Sequence, residues 1–123
     1  KKVTKDLDGD GMPDRYMIEL NDSNAAEYEV LLLQRGGSSF DKDGHVTMDA
    51  DLNVRTLVDY VHMLVGPNRI GTSLGGGAIL TKAVEEGYFC CFLMPDWRCE
   101  LFKQDIPRVA GKFKLMPLPA WEP

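Results

Sequence analysis

Nine residues, Asp6-Leu7-Asp8-Gly9-Asp10-Gly11-Met12-Pro13-Asp14, carry four carboxylates at alternating spacing. Alternate aspartates on a tight turn aim hard oxygens at a common centre. Calcium takes about six to eight such oxygens, and a helix-flanked calcium loop supplies them from positions 1, 3, 5, 7, 9 and 12. Counted from Asp6, the first, third, fifth and ninth positions are Asp6, Asp8, Asp10 and Asp14; Gly11 stands sixth, where the turn is sharpest, and Met12 can offer its backbone carbonyl. The twelfth position is Met17, so the bidentate glutamate is missing, and Pro13 with the strand-like Arg15–Leu20 leaves no flanking helix. The stretch reads either as a structural calcium loop with ligands Asp6, Asp8, Asp10, Met12 and Asp14, or as a plain Asp/Gly turn. It does not read as a sensor, which needs paired helices that open.

The second chemical feature is the turn Met94-Pro95-Asp96-Trp97-Arg98. Proline stops strand pairing and Asp96 can cap the turn that follows, so Trp97 falls at the carboxyl end of a strand, where α/β sheets place their ligands. An indole face there is either ordinary packing or a stacking platform for the C–H patches of a sugar ring. In the second case Asp96 and Arg98 would bond the hydroxyls.

Other candidates are weaker. Cys90 and Cys91 lie in the apolar run Tyr88–Met94 and read as buried thiols used as small apolar residues. Cys99 is the third cysteine, and neither zinc spacing nor a neighbouring base accompanies any of them. Gly75-Gly76-Gly77 is followed by Ala78 and not by Lys-Ser/Thr, so it is a helix lead-in and not a phosphate cradle. His62 reads as a surface residue of a long helix. No catalytic constellation stands out, and the chain reads as a non-enzyme.

These residues must be positioned by a chain of 123 residues, long enough for one domain. It is 44% hydrophobic, so it can bury a core, and its formal net charge of −5 disfavours nucleic acid. No apolar run approaches the ~20 residues of a membrane span, and no signal segment opens the chain. Its start without methionine suits a processed protein or an excised piece. The pattern predicts a strand over 15–20, a helix over 25–35 ended by Gly36-Gly37, a β-turn excursion over 38–49 with Asp43-Gly44 at its tip, and a helix over 51–65. That second helix carries Val54, Leu57, Val58, Val61, Leu64 and Val65 on one face, to be buried, with Asp49 or Asp51 as its cap. A helix over 78–87, a buried strand over 88–94, a short helix over 96–105 and a strand beginning at 112 complete the order. The character is α/β with a thin sheet.

The segment Gly87–Pro123, with its Gly-ended helix, strand, Asp-Trp turn, Gly-Lys strand and Pro-Leu-Pro exit, resembles the signature region of bacterial extracellular solute-binding proteins, the carbohydrate-binding group of ABC importers. Asp6–Tyr16, Leu31–Asp49 and the helix over 51–65 fit the same group in the same order. The resemblance implies two α/β lobes joined by hinge strands with the ligand between them. Residues 1–123 would form the second lobe only, three-layered with a small mixed sheet. It also implies a sugar or oligosaccharide ligand, a missing first lobe, membrane permease subunits as partners, and a periplasmic or lipid-anchored place outside the cytoplasm, the anchor not being in this chain. By position, Trp97 matches the aromatic that stacks on bound sugar in maltodextrin-binding relatives. The loop from Asn24 to Tyr28 matches a second ligand-facing segment, with Ala26 where an aromatic is expected and Glu27 and Tyr28 beside it. Asp96, Arg98, Glu27 and Tyr28 would then hydrogen-bond hydroxyls. The rival reading is a calcium-binding structural or adhesion module built on residues 6–14.

Overall fold

The structure, a computed structural model, describes residues 3–121. The chain enters through a clasp. Lys5 and Arg15 form an antiparallel bridge around the Asp-rich loop, with Lys5 N–H donating to Arg15 C=O at 3.0 Å and the N–H groups of Asp14 and Arg15 donating to Lys5 C=O. Strand β1 (Tyr16–Glu19) follows at once. Helix α1 (Ala26–Gln34) and helix α2 (Asp51–Leu64) come next, then the two-residue strand β2 (Gly71–Thr72). Helix α3 (Ala78–Glu86), strand β3 (Phe89–Phe92), helix α4 (Asp96–Asp105) and a 3-10 turn (Pro107–Val109) complete the order.

The sheet has the order β2-β1-β3, and β1 pairs in parallel with both neighbours. Helices return the chain after each strand, so every strand starts from the same end. The α/β expectation therefore holds, while the sheet, expected to be mixed, is parallel throughout. The antiparallel contacts, Lys5–Arg15 and Phe40–Val46, lie outside it. The excursion over 38–49 is present, and Gly44 at its tip has φ +83°.

The core gathers Tyr16, Ala83, Val84, Phe89, Ile106 and Val109, with Leu74, Leu80, Tyr88, Phe92 and Phe102 packed against it. Phe92 extends this packing to Phe113, ring centroids 5.6 Å apart. A second buried group lies between α1 and α2: Leu32, Asn53, Thr56 and Tyr60. Arg35 ties the two helices together, donating to the Asp59 carboxylate at 2.6 Å and to Thr56 Oγ1. Its guanidinium also lies 4.3 Å from the ring centroid of Trp121, whose indole N–H bonds Leu31 C=O. The tail thus folds back on α1.

Four expectations are corrected. The stretch from 112 forms no strand; its residues through 120 are exposed, Pro117 and Pro119 cannot donate to a ladder, and no neighbouring strand is offered. Strand β3 is an edge strand and not a buried one, so Cys90 is exposed and Cys91 half-buried. Helix α2 turns its polar side inward: Asn53, Thr56 and Tyr60 are buried while Val54, Leu57, Val58 and Val61 are each more than 40% exposed. Each buried polar group is satisfied, Asn53 Nδ2 donating to Ser38 C=O and Thr47 C=O, Thr56 Oγ1 to Leu52 C=O, and Tyr60 Oη to Asn21 C=O. Finally, α2 is preceded by Ala50 in extended conformation and takes no side-chain cap from Asp49 or Asp51.

Candidate functional site

Because all three strands run parallel, their carboxyl ends open on one edge, and the loops after them converge there. The loop after β1 is bound to the loop after β2: Ser73 Oγ donates to Asp22 Oδ1 at 2.7 Å. Asn21 Oδ1 gathers the N–H groups of Ser23 and Asn24 and the Ser23 hydroxyl, which folds the chain tightly before α1. Asn24 Oδ1 in turn accepts the Ala26 N–H at 2.9 Å, leading into the helix. From the first turn of α1, Glu27 and Tyr28 project half-buried. Tyr28 Oη donates to Asn53 C=O, so its hydroxyl is engaged with α2, and its ring meets Tyr60 edge-on at 6.1 Å.

The third loop leaves β3 through Leu93, Met94 and Pro95. Asp96, Trp97 and Arg98 open α4, and Asp96 Oδ1 accepts the Trp97 N–H at 2.7 Å. Trp97 is 61% exposed. An indole held by its backbone on a helix start, with its ring in solvent, is a flat apolar surface ready for a flat apolar partner.

Between the two groups lies Glu19, which the sequence reasoning missed. It ends the central strand, in register with Thr72 on one side and Phe92 on the other. Burial, Glu27 and Asp22 push its carboxyl above the usual range, against the Leu74 N–H it accepts and the Arg98 charge. Glu19 thus feels both Glu27 from α1 and Arg98 from α4, which brings the two sequence-predicted groups to one edge. Tyr60 stands behind it, its hydroxyl pushed up to about 12 by burial and by the carboxylates of Glu27, Glu19 and Asp22. One oxygen of Glu27, Oε2, is buried without a protein partner. The available signal for Glu19 was its place near the end of the predicted strand over 15–20, with only Leu20 between it and the turn Asn21-Asp22-Ser23-Asn24; a single acidic residue in a short alternating run carried no mark of its own.

Two shallow concavities lie away from this edge, one between α3 and Phe113 and one beside His62 and Trp121. Neither includes Trp97. A single open wall encloses no cavity, so the chemistry of the edge is the better guide to function here.

The Asp-rich loop lies at the opposite, amino end of β1. Carboxylate oxygens of Asp6, Asp8 and Asp14 all lie within 4.8 Å of one another. The same side chains also accept backbone N–H groups: Asp6 from Gly9 and Gly11, Asp14 from Leu7, Asp8 from Asp10. Asp10 stands apart from the trio and accepts the Met12 N–H at 2.7 Å. A second exposed trio, Asp41, Asp43 and His45, shares the tip of the 38–49 turn, where His45 Nδ1 lies 3.0 Å from Asp41. The Cys91 thiol accounts for itself differently. It donates to Met17 C=O, and burial with the adjacent Cys90 pushes its pKa up, the reverse of what an activated nucleophile needs.

Among known proteins the chain is similar to an arabinooligosaccharide-binding protein of Halalkalibacterium halodurans, 30% identical over 96 residues, covering 75% of this chain and 21% of that protein. It is likewise similar to an arabinooligosaccharide-binding protein of Bacillus subtilis, 31% identical over 108 residues, covering 85% of this chain and 24% of that protein. The chain therefore spans less than a quarter of the length of these relatives. No family model matches the chain, and no solved structure does. The resemblance to sugar-binding solute-binding proteins drawn from the sequence is borne out by both relatives, whose names describe binding proteins and not enzymes.

Proposed function

We propose that residues 1–123 form part of one lobe of an extracytoplasmic oligosaccharide-binding protein that hands its ligand to the permease of an ABC importer. The observation that carries this reading is the convergence of Trp97, Arg98, Glu19 and Glu27 on the carboxyl edge of a parallel sheet, in a chain related to proteins named for oligosaccharide binding. Trp97 offers its face to a sugar ring. Asp96, Arg98, Glu27 and Asn24 offer donors and acceptors to hydroxyls, and Glu19 adds one more. Tyr28 frames the edge with its ring, its hydroxyl being shared with Asn53. No bond is made or broken in the ligand; the chemistry is desolvation, stacking and hydrogen bonding.

The test is a calorimetric titration of the longer polypeptide carrying this segment against a panel of pentose and hexose oligosaccharides, repeated with Trp97→Ala. Loss of one stacked ring is expected to weaken the best ligand by about 10-fold or more, since aromatic contacts contribute about 0.5–1.5 kcal/mol beyond their burial. Unchanged affinity would remove Trp97 from the site.

A second reading concerns the loop over 6–14, where we propose a structural calcium ion. Its support is the approach of Asp6, Asp8 and Asp14 within 4.8 Å; Asp10 and the Met12 carbonyl, outside that trio, would have to turn toward the ion to join them. The ion would neutralise clustered carboxylates and pin the clasp that leads into β1. Thermal unfolding with calcium and with a chelator decides it: a higher midpoint with calcium, abolished by Asp8→Asn, is expected, and coincident curves would exclude the ion. The rival adhesion module predicts instead that chelation releases a protein partner while sugar affinity is absent.

A further inference from the structure

The charged groups at the carboxyl edge of the sheet are mostly of one sign. Glu19 ends β1, Asp22 lies in the loop that follows it, Glu27 stands in the first turn of α1 and Asp96 opens α4; of the site's own groups only Arg98 is cationic. Local structure keeps these carboxylates in place. Asp22 Oδ1 accepts the Ser73 hydroxyl at 2.7 Å, which holds it between the loops after β1 and β2. Asp96 Oδ1 accepts the Trp97 N–H at 2.7 Å, so a carboxylate is fixed one residue from the exposed indole. The backbone of Glu19 is set by its register with Thr72 and Phe92. Among the described residues no Lys, Arg or His nitrogen comes within 4.0 Å of any of the four carboxylates. Glu27 Oε2 is buried and accepts no hydrogen bond. Their field also reaches inward: burial first, and then Glu27, Glu19 and Asp22, push the Tyr60 hydroxyl up to about 12.

We infer that this edge repels anions, so that it accepts uncharged sugars and turns away sugar acids, with Glu19 and Glu27 as the residues that set the preference. The inference rests on the reading of the edge as a sugar site. Glu19 and Glu27 are chosen because both are half-buried, where water screens a charge least, while Asp22 and Asp96 are exposed. A sugar hydroxyl donates to such a carboxylate and gains a charge-assisted hydrogen bond. A uronate residue brings a carboxylate of its own, which has no proton to donate and must lose water beside charges of its own sign. Discrimination is a difference between two affinities, and repelling the wrong ligand widens it as surely as holding the right one. The formal net charge of −5 leaves no surplus of cations in the chain to offset the effect.

The experiment has two arms, both on the longer polypeptide. In the first, the best neutral oligosaccharide and oligosaccharides of the same length carrying one uronate residue are titrated calorimetrically at low salt. The uronate ligands are expected to bind at least about 10-fold more weakly. The double variant Glu19→Gln, Glu27→Gln, which keeps both shapes and removes both charges, is expected to narrow that ratio at least about 3-fold. Equal or tighter binding of the uronate ligands overturns the inference, and so does a ratio unchanged in the double variant. The second arm needs no sugar. Quenching of Trp97 emission, isolated as the difference between the parent and Trp97→Phe, is measured with iodide and with caesium, each scaled to its effect on free tryptophan. Iodide is expected to be at least about 2-fold the poorer quencher, and to gain in the double variant. Iodide that reaches Trp97 as freely as caesium overturns the inference whatever the sugars do. If no sugar of either kind binds while iodide is still shut out, the binding function fails and the anion-repelling edge stands.

Discussion

Glu19 has to keep a carboxyl at the end of the central strand, where burial above all, and then Glu27, make ionisation costly. Leu74 N–H and Arg98 offset this only in part, so the folded pKa lies above its ordinary value of 4.5. A raised carboxyl binds its proton more tightly in the folded state than in the unfolded one. Its contribution to stability is therefore complete below about pH 4.5 and is lost as pH rises through the folded pKa. Glu19→Gln keeps the shape and removes the charge. The variant is expected to unfold at a higher temperature than the parent at pH 7, with the gap closing as pH falls through the raised folded pKa and gone below about pH 4.5. A variant less stable at pH 7 would mean that the Leu74 and Arg98 contacts outweigh burial. Under the proposed function the same residue is a compromise: a partly desolvated carboxylate with spare acceptor capacity is unfavourable for the free fold and useful to a hydroxyl-rich ligand.

The junction of α1 with α2 depends on how closely Gly37 approaches both. A Cβ at Gly37 would collide with Leu32 Cδ1 and come within 2.8 Å of Asn53 Oδ1. Leu32 is 2% exposed and Asn53 3% exposed, so neither has room to retreat. Asn53 also holds the 38–49 turn to α2 through Ser38 and Thr47, and displacing it loosens that turn. Gly37→Ala is expected to cost about 1–3 kcal/mol in denaturant unfolding, as overpacking does; a change under about 0.5 kcal/mol would show that the junction yields. Elements of this kind were largely legible in the sequence. The helices over 26–34, 51–64, 78–86 and 96–105 follow from apolar spacing and from Gly and Pro stops, because local rules decide them. What escaped was decided by partners. The two residues of β2 are a strand only because Ile18 and Glu19 pair with them, and the stretch from Lys112 is none because nothing pairs with it. The inward side of α2 was misread for the same reason: three satisfied polar groups win that face locally, and the aliphatic stripe is left outside, which no short-range pattern reveals. Of the proposed site, the position of Trp97, Asp96 and Arg98 at the start of a helix after a strand was readable from the Pro-Asp-Trp turn, whereas Glu19 needed the sheet order to place it at the same edge.

At the scale of the whole molecule, the edge that gathers Trp97, Arg98, Glu19 and Glu27 is one wall. Ligand sites in proteins bury most of the ligand surface, about 70–90% for compact ligands, and two-lobed binding proteins achieve this by closing one lobe on the other. A single wall can cover one face of a sugar and leaves the other in water. It also keeps its polar groups solvated, so each hydrogen bond to the sugar replaces one to water for little net gain. Every tenfold in affinity corresponds to about 1.4 kcal/mol. Loss of an opposing stack and a few desolvated hydrogen bonds therefore weakens binding by at least about 100-fold. Titrating the 123-residue chain and the longer polypeptide with the same best oligosaccharide measures that difference directly. Equal affinities would mean that this edge is the complete site and that no second wall takes part. No affinity in the chain alone, with Trp97→Ala still weakening the longer polypeptide, is the result expected if Trp97 does its work only when the ligand is enclosed.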